Sequence, residues 1–225
     1  MVDLIISPTW FVGIDAAFDT ISVIVAILIS IFSFRIYRFT SQKRYLALSG
    51  AYLLICFSFL IKIVTSLSIY FQIFAQKVGP TILVRYSPER IQLLASLGLT
   101  SFQLMMLLGF LMIYGVLWGI SDKRVIFLLL YLGTMMVLFS DISYYAFHAT
   151  NIILLAFIVW KLKLNYNEKK TNLSRYVMIG FSLIVISQLF FLFIHLSKEL
   201  YVFGESFQLL GYALLLFASI KVLRK

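Results

Sequence analysis

Acidic residues, cysteine and proline are all scarce in this 225-residue chain, with nine Asp and Glu, one Cys and three Pro. The single thiol, Cys56, excludes an internal disulfide and lies in an apolar run, where packing or a lone nucleophile are the two readings. Charged residues make up only 12%, against about 25% in soluble globular chains. A soluble fold of this size could not cover its surface with so few charges. No GxSxG, HExxH, Walker or YD…GxGD motif occurs, so the familiar signatures of hydrolases, metalloproteases, nucleotide-binding proteins and intramembrane aspartyl proteases are missing. The first residues lack the basic region and cleavage site of a signal peptide.

What is abundant is apolar and aromatic. Hydrophobic residues are 62% of the chain, mean hydropathy is +1.02, and there are 22 Phe and 13 Tyr. Seven apolar runs can be drawn, at about 11–33, 46–75, 91–119, 125–141, 143–160, 176–197 and 202–220. A span needs about 20 residues, so seven of them fill the chain and predict an all-α polytopic bundle in one membrane domain over 1–225. The fourth and fifth runs are separated only by Ser140-Asp141-Ile142-Ser143, and six spans result if one of that pair is re-entrant.

The net charge of +10 is explained by topology rather than nucleic acid. Arg35, Arg38, Lys43 and Arg44, then Lys123 and Arg124, then Lys161, Lys163, Lys169, Lys170 and Arg175, then Lys221, Arg224 and Lys225 all fall on one side of a seven-span chain. Those are fourteen of the nineteen basic residues; Lys77, Arg85, Arg90 and Lys198 fall opposite, and Lys62 lies within a span. The positive-inside rule puts the fourteen in the cytoplasm, hence a cell-membrane protein with its N-terminus outside and its C-terminus inside. The inner clusters could also touch anionic lipid or a partner. Trp10, Trp118 and Trp160 fall near predicted interfaces as anchors. Gly115 and Gly119 form a GxxxG that would admit close helix approach.

A faint repeat is readable. Ala17-Phe18-Asp19-Thr20 in the first span is echoed by Ala146-Phe147-His148-Ala149-Thr150 in the fifth, and Arg44-Tyr45 by Arg175-Tyr176. Aligning Gly50 with Gly180 would make spans 1–3 and 5–7 parallel repeats joined by span 4, a 3+1+3 order. The stretch FRIYRFTSQKRYLALSGAYLLICFSFL, with the later GFSLIVISQLFFLF, resembles prokaryotic seven-helix membrane domains found alone or ahead of sensor histidine kinases. That resemblance implies a sensory or scaffolding role, although this chain stops at Lys225 without an output module.

Polar residues inside the spans are the chemical signal. Asp15, Asp19, Lys62, Gln103, Asp141, His148, Asn151, Gln188, His195, Glu205 and Gln208 concentrate in the outer and middle thirds. Intramembrane ionisable groups face bundle interiors or water-filled cavities. Asp15 and Asp19 share a helix face, and Asp19 lies about 12 Å below the start of its span at 1.5 Å per residue, a depth Lys62 can match. An Asp–Lys pair holding helices together and an outward-open pocket are the two readings. His148 and His195, with Asp19, Asp141 or Glu205, are metal-ligand types without metal-ligand spacing, so no metal and no cofactor are expected. A retinal protein needs a lysine deep in the last helix, where only Lys221 is found, at its inner end.

Two functional classes remain. One is a non-enzymatic sensor or scaffold in the lipid bilayer that binds a ligand, lipid or membrane-protein partner through the outer polar cluster and signals to a cytoplasmic partner through its basic loops. The other is a small transporter or outer-leaflet enzyme using the same cluster. Poverty of polar groups in the inner half favours the first. Cysteine labelling tests the orientation: position 167 is protected from outside reagents and position 80 accessible, and outside labelling at 167 would reverse the topology.

Overall fold

The structure, a computed structural model, describes residues 8, 10, 11, 13–78, 88–120, 122–139 and 143–223. Seven helices account for nearly all of them: α1 Ile14–Thr40, α2 Lys43–Val78, α3 Pro88–Trp118, α4 Lys123–Phe139, α5 Ser143–Lys169, α6 Asn172–Leu192 and α7 Glu199–Leu223. Asp141 and Pro80 lie outside the described residues.

Each helix is long because apolar, Leu- and Ile-rich sequence has good helical propensity, and because backbone amides in hydrocarbon must be satisfied within the segment. The ends carry local signals. The Asp15 carboxylate accepts the Gly13 and Ala16 N–H groups at 2.9 and 2.8 Å, which seats it at the α1 N-terminus. Ser41 (φ 54°) and Lys170 (φ 47°) close α1 and α5 in left-handed conformation, donating their N–H to Tyr37 and Tyr166 carbonyls. Gly119 (φ 65°) ends α3, and the Ile120 N–H reaches the Gly115 carbonyl at 3.0 Å. Thr171 caps α6 through its side-chain oxygen.

Six helices are long and apolar enough to cross a membrane, α4 being the exception. With 17 residues α4 reaches about 25 Å, short of the roughly 30 Å hydrocarbon core. The chain is therefore a multi-pass membrane protein. Its outer surface carries large apolar side chains, among them Ile24, Phe57, Leu97, Ile153 and Leu210, which face lipid.

Neighbouring helices form a closed ring in the order α1, α2, α3, α5, α6, α7, with α7 returning to α1. The helix α4 stands outside it, touching only α3 and α5. Buried positions on α1 (Asp19, Ser22, Val23, Ala26, Ile29, Ser30, Ser33) recur at helical spacing and turn one stripe toward the centre. Ile55, Phe59, Phe110, Leu155, Ile158, Ile184 and Tyr212 fill that centre.

A shift of 129 residues carries the starts and ends of α1 onto those of α5, and the start of α2 onto that of α6. The same shift relates Tyr37 and Ser41 to Tyr166 and Lys170 at the left-handed ends. It also relates the buried set Asp19, Ser22, Ala26, Ile29 to His148, Asn151, Leu155, Ile158. Ser58 donates to the Ile55 carbonyl, and Ser187 likewise to that of Ile184. At the next helix pair, a Cβ on Gly109 would meet Ile55 and the Ala51 carbonyl, and one on Gly211 would meet Ile184 and the Gly180 carbonyl. Gly180 thus corresponds to Ala51, one residue from the Gly50 expected from sequence.

The expected close approach at Gly115 is absent: nothing lies within 4 Å of a Cβ placed there, and Gly119 serves the helix end. Close packing belongs to Gly109 and Gly211. Gly211→Ala pushes a methyl to 2.8 Å from the Gly180 backbone oxygen and is expected to cost roughly 1–3 kcal/mol. Gly115→Ala is expected to be neutral or stabilising by up to about 1 kcal/mol. Thermal unfolding in detergent reads both; equal losses at the two positions would contradict the packing described.

Candidate functional site

Asp19 on α1, Lys62 on α2 and Glu205 on α7 come together inside the ring. The Lys62 ammonium donates to Asp19 Oδ1 at 2.9 Å and to Glu205 Oε1 at 2.6 Å. These are the ion pairs found among the described residues. Both carboxylate side chains are 3% exposed and the lysine side chain 17%. The helices α2 and α7 are not neighbours, but both flank α1. Lys62 therefore crosses the interior to reach Glu205, and the Phe59–Tyr212 edge contact crosses it one turn away. The Phe102 and Tyr201 rings lie 5.9 and 5.7 Å from the ammonium. Two carboxylates and two aromatic rings from α1, α3 and α7 thus surround one positive charge.

On the opposite side of the ring the polar contact is neutral. His148 Nδ1 on α5 and Gln188 Oε1 on α6 are 2.8 Å apart. Because an amide oxygen only accepts, Nδ1 carries the hydrogen in this arrangement. The imidazole sits against Tyr144, Phe147 and Phe191, with ring centroids 4.5, 5.0 and 5.3 Å away. Tyr144 in turn donates to the Phe191 carbonyl at 3.2 Å, where α6 is ending. Lys62 acts electrostatically on His148, Tyr144 and Tyr212, so the charged and neutral groups share one interior.

Several buried polar atoms in this ring have no protein partner: Gln103 Oε1, both Oδ1 and Nδ2 of Asn151, and the Tyr212 hydroxyl. Gln103 adjoins Phe102, whose ring faces the ammonium. Asn151 lies one turn beyond His148, and Tyr212 two turns beyond Glu205. Buried amides and hydroxyls without a partner are uncommon, because each forgoes hydrogen bonds it makes in water.

The other residues singled out from sequence have separate places. Asp15 is spent on the α1 N-terminus and does not contact Lys62. His195 is exposed in the turn after α6, near Tyr145 and Phe193 at 6.0 and 6.4 Å, and does not join the network. Gln208 is buried on α7. Among the described residues no group of three His, Cys, Asp or Glu could hold a metal ion. Cys56 packs in the α2 core. Tyr144, Tyr201 and Tyr212 were not singled out, since aromatic residues are too common in this chain to signal a site. Tyr201, four residues before Glu205, shares its helix face and was the most readable of the three.

Chemically, the cluster can hold a positive charge between α1 and α7, exchange it, or fasten three helices. No family model matches the chain, and no curated protein or solved structure matches it.

Energetic coupling across the cluster can be measured directly. Lys62→Met leaves two carboxylates facing each other and is expected to cost roughly 3–5 kcal/mol. Asp19→Asn or Glu205→Gln added to Lys62→Met should cost much less than alone. A coupling of about 1 kcal/mol or more for each pair is expected from double-mutant cycles on thermal unfolding; additivity would deny the pairing.

Proposed function

We propose that this chain is a non-enzymatic membrane sensor whose binding element is the Asp19–Lys62–Glu205 cluster. The observation that carries this reading is the placement of a charged triad at the α1–α7 closure, beside buried polar groups that lack partners. A ligand that engages Asp19 or Glu205 changes what Lys62 holds, and hence how α1 and α2 sit against α7. The proposal includes seven spans, an external N-terminus and a cytoplasmic C-terminus, so the triad opens toward the outside. Signals then leave through the basic ends of the helices, as the resemblance to membrane domains ahead of histidine kinases suggests. The far half of the ring supports sensing over transport. Its buried polar residues are Ser30, Ser33 and Ser49, and Ser30 bonds to Ser49 at 2.9 Å. These give no ionisable relay toward the other side.

One observation favours transport as a second reading. The shift of 129 residues that relates α1 to α5 and α2 to α6 suggests two parallel three-helix halves joined by α4. The triad lies at a seam between those halves, where transporters built from repeats place their substrates.

A thermal-shift screen of the purified protein against small amines, amino acids and carboxylates separates the outcomes. The sensor reading expects a compound that stabilises the wild type but not Lys62→Met, and that proteoliposomes containing the protein do not accumulate. Accumulation lost in Lys62→Met establishes transport; no stabilisation by any compound removes the sensor reading.

A further inference from the structure

The charges of the triad do not balance. Asp19 and Glu205 bring two negative charges and Lys62 brings one positive charge, all within 2.9 Å contacts in a ring surrounded by apolar side chains. Every element packed against the site adds little to that count. The helix α1 adds Asp15, already turned to the backbone, and α7 adds Tyr201 and Tyr212. The helix α5 adds Tyr144 and His148, while α3 offers the neutral Gln103 and α6 the neutral Gln188. No second cation faces the carboxylates among the described residues. A net negative charge in such surroundings is expensive and calls for a counter-charge.

Lys62 uses one oxygen of each carboxylate, Oδ1 of Asp19 and Oε1 of Glu205. Gln103 Oε1 and the Tyr212 hydroxyl, both buried and unpartnered, supply neutral oxygens in the same interior. Oxygen donors with one excess negative charge suit a hard monovalent cation, whereas fewer than three clustered ionisable ligands give poor purchase on a divalent metal.

We propose that the Asp19–Lys62–Glu205 cluster binds one monovalent cation in addition to Lys62, either a proton or an alkali-metal ion. This deepens the sensor reading and rests on it, since it names the class of ligand that the cluster takes. The two occupants exclude each other: a sodium ion entering the cluster displaces the carboxylic acid proton, which leaves to bulk water. Linkage then makes the apparent sodium affinity weaken by up to about tenfold for each unit fall in pH.

The test uses the full-length wild type in detergent, with sodium chloride exchanged for N-methylglucamine chloride at constant ionic strength. A saturable rise in melting temperature with sodium, together with release of about one proton per chain, supports an alkali ion in competition with a proton. No sodium response, but a melting temperature that falls as mildly acidic buffer is made alkaline, supports the proton alone. In either case, labelling of buried carboxyls by dicyclohexylcarbodiimide, mapped by peptide mass spectrometry, should fall on Glu205 or Asp19. Sodium should protect against it in the first case, and alkaline buffer in the second. Melting that is flat in both sodium and pH overturns the proposal, as does labelling that falls elsewhere or responds to neither ion. Should that happen while another compound still stabilises the wild type and not Lys62→Met, the sensor reading stands and only the identity of its ligand falls. Glu205→Gln, where it folds, should lose both responses.

Discussion

A lysine ammonium surrounded by hydrocarbon must be neutralised where it stands, and Lys62 meets that requirement by drawing Asp19 and Glu205 from two other helices onto one point. The helices α2 and α7 are not neighbours in the ring, so the lysine stem spans the interior and fixes their relative position through α1. Removing the ammonium would leave two like charges together, and removing one carboxylate would loosen one arm. The arrangement of α1, α2 and α7 at this end is therefore set by charge, while apolar packing of Ile29, Ile55 and Leu215 sets it further along.

Around that point the bundle follows the rules of lipid-exposed proteins. Close helix approach depends on small residues: Gly109 against Ala51 and Ile55, Gly211 against Gly180 and Ile184. Polar side chains turn inward and large apolar ones outward. The helix α4 is the exception in both length and position, lying outside the ring against α3 and α5. Its exposed face, with Phe127, Leu128, Tyr131 and Leu132, is apolar, which suits lipid contact at the periphery.

The positions related by the shift of 129 residues differ in chemistry. Where α1 has Asp19, α5 has His148; where α2 has Lys62, α6 has Phe191. On the third helices, aligned through Gly109 and Gly211, Glu205 corresponds to Gln103. The α1–α7 side therefore carries three charges, and the α3–α5 side none in the corresponding places. Similar backbones thus support a charged closure on one side and a neutral, aromatic one on the other, where His148 and Gln188 hold each other.

Hydropathy and helical period are local properties, and so the sequence by itself determined the membrane class, the seven helices and the inward polar stripe with Asp19 and Lys62 at matching depth. It also exposed the echo of Ala17-Phe18-Asp19 in Ala146-Phe147-His148, although the match at the next helix is one residue from the expected place. Which carboxylates reach Lys62 was decided only in three dimensions. Asp15 shares a helix face with Asp19, yet backbone N–H groups at the helix start claim it. Glu205 is 143 residues from Lys62 and joins it because the ring closes α7 onto α1. His195, apolar-flanked in sequence, falls in a turn because α6 ends at Leu192, and it stays outside. Closure of the ring and exclusion of α4 depend on contacts between distant segments, which no local pattern encodes.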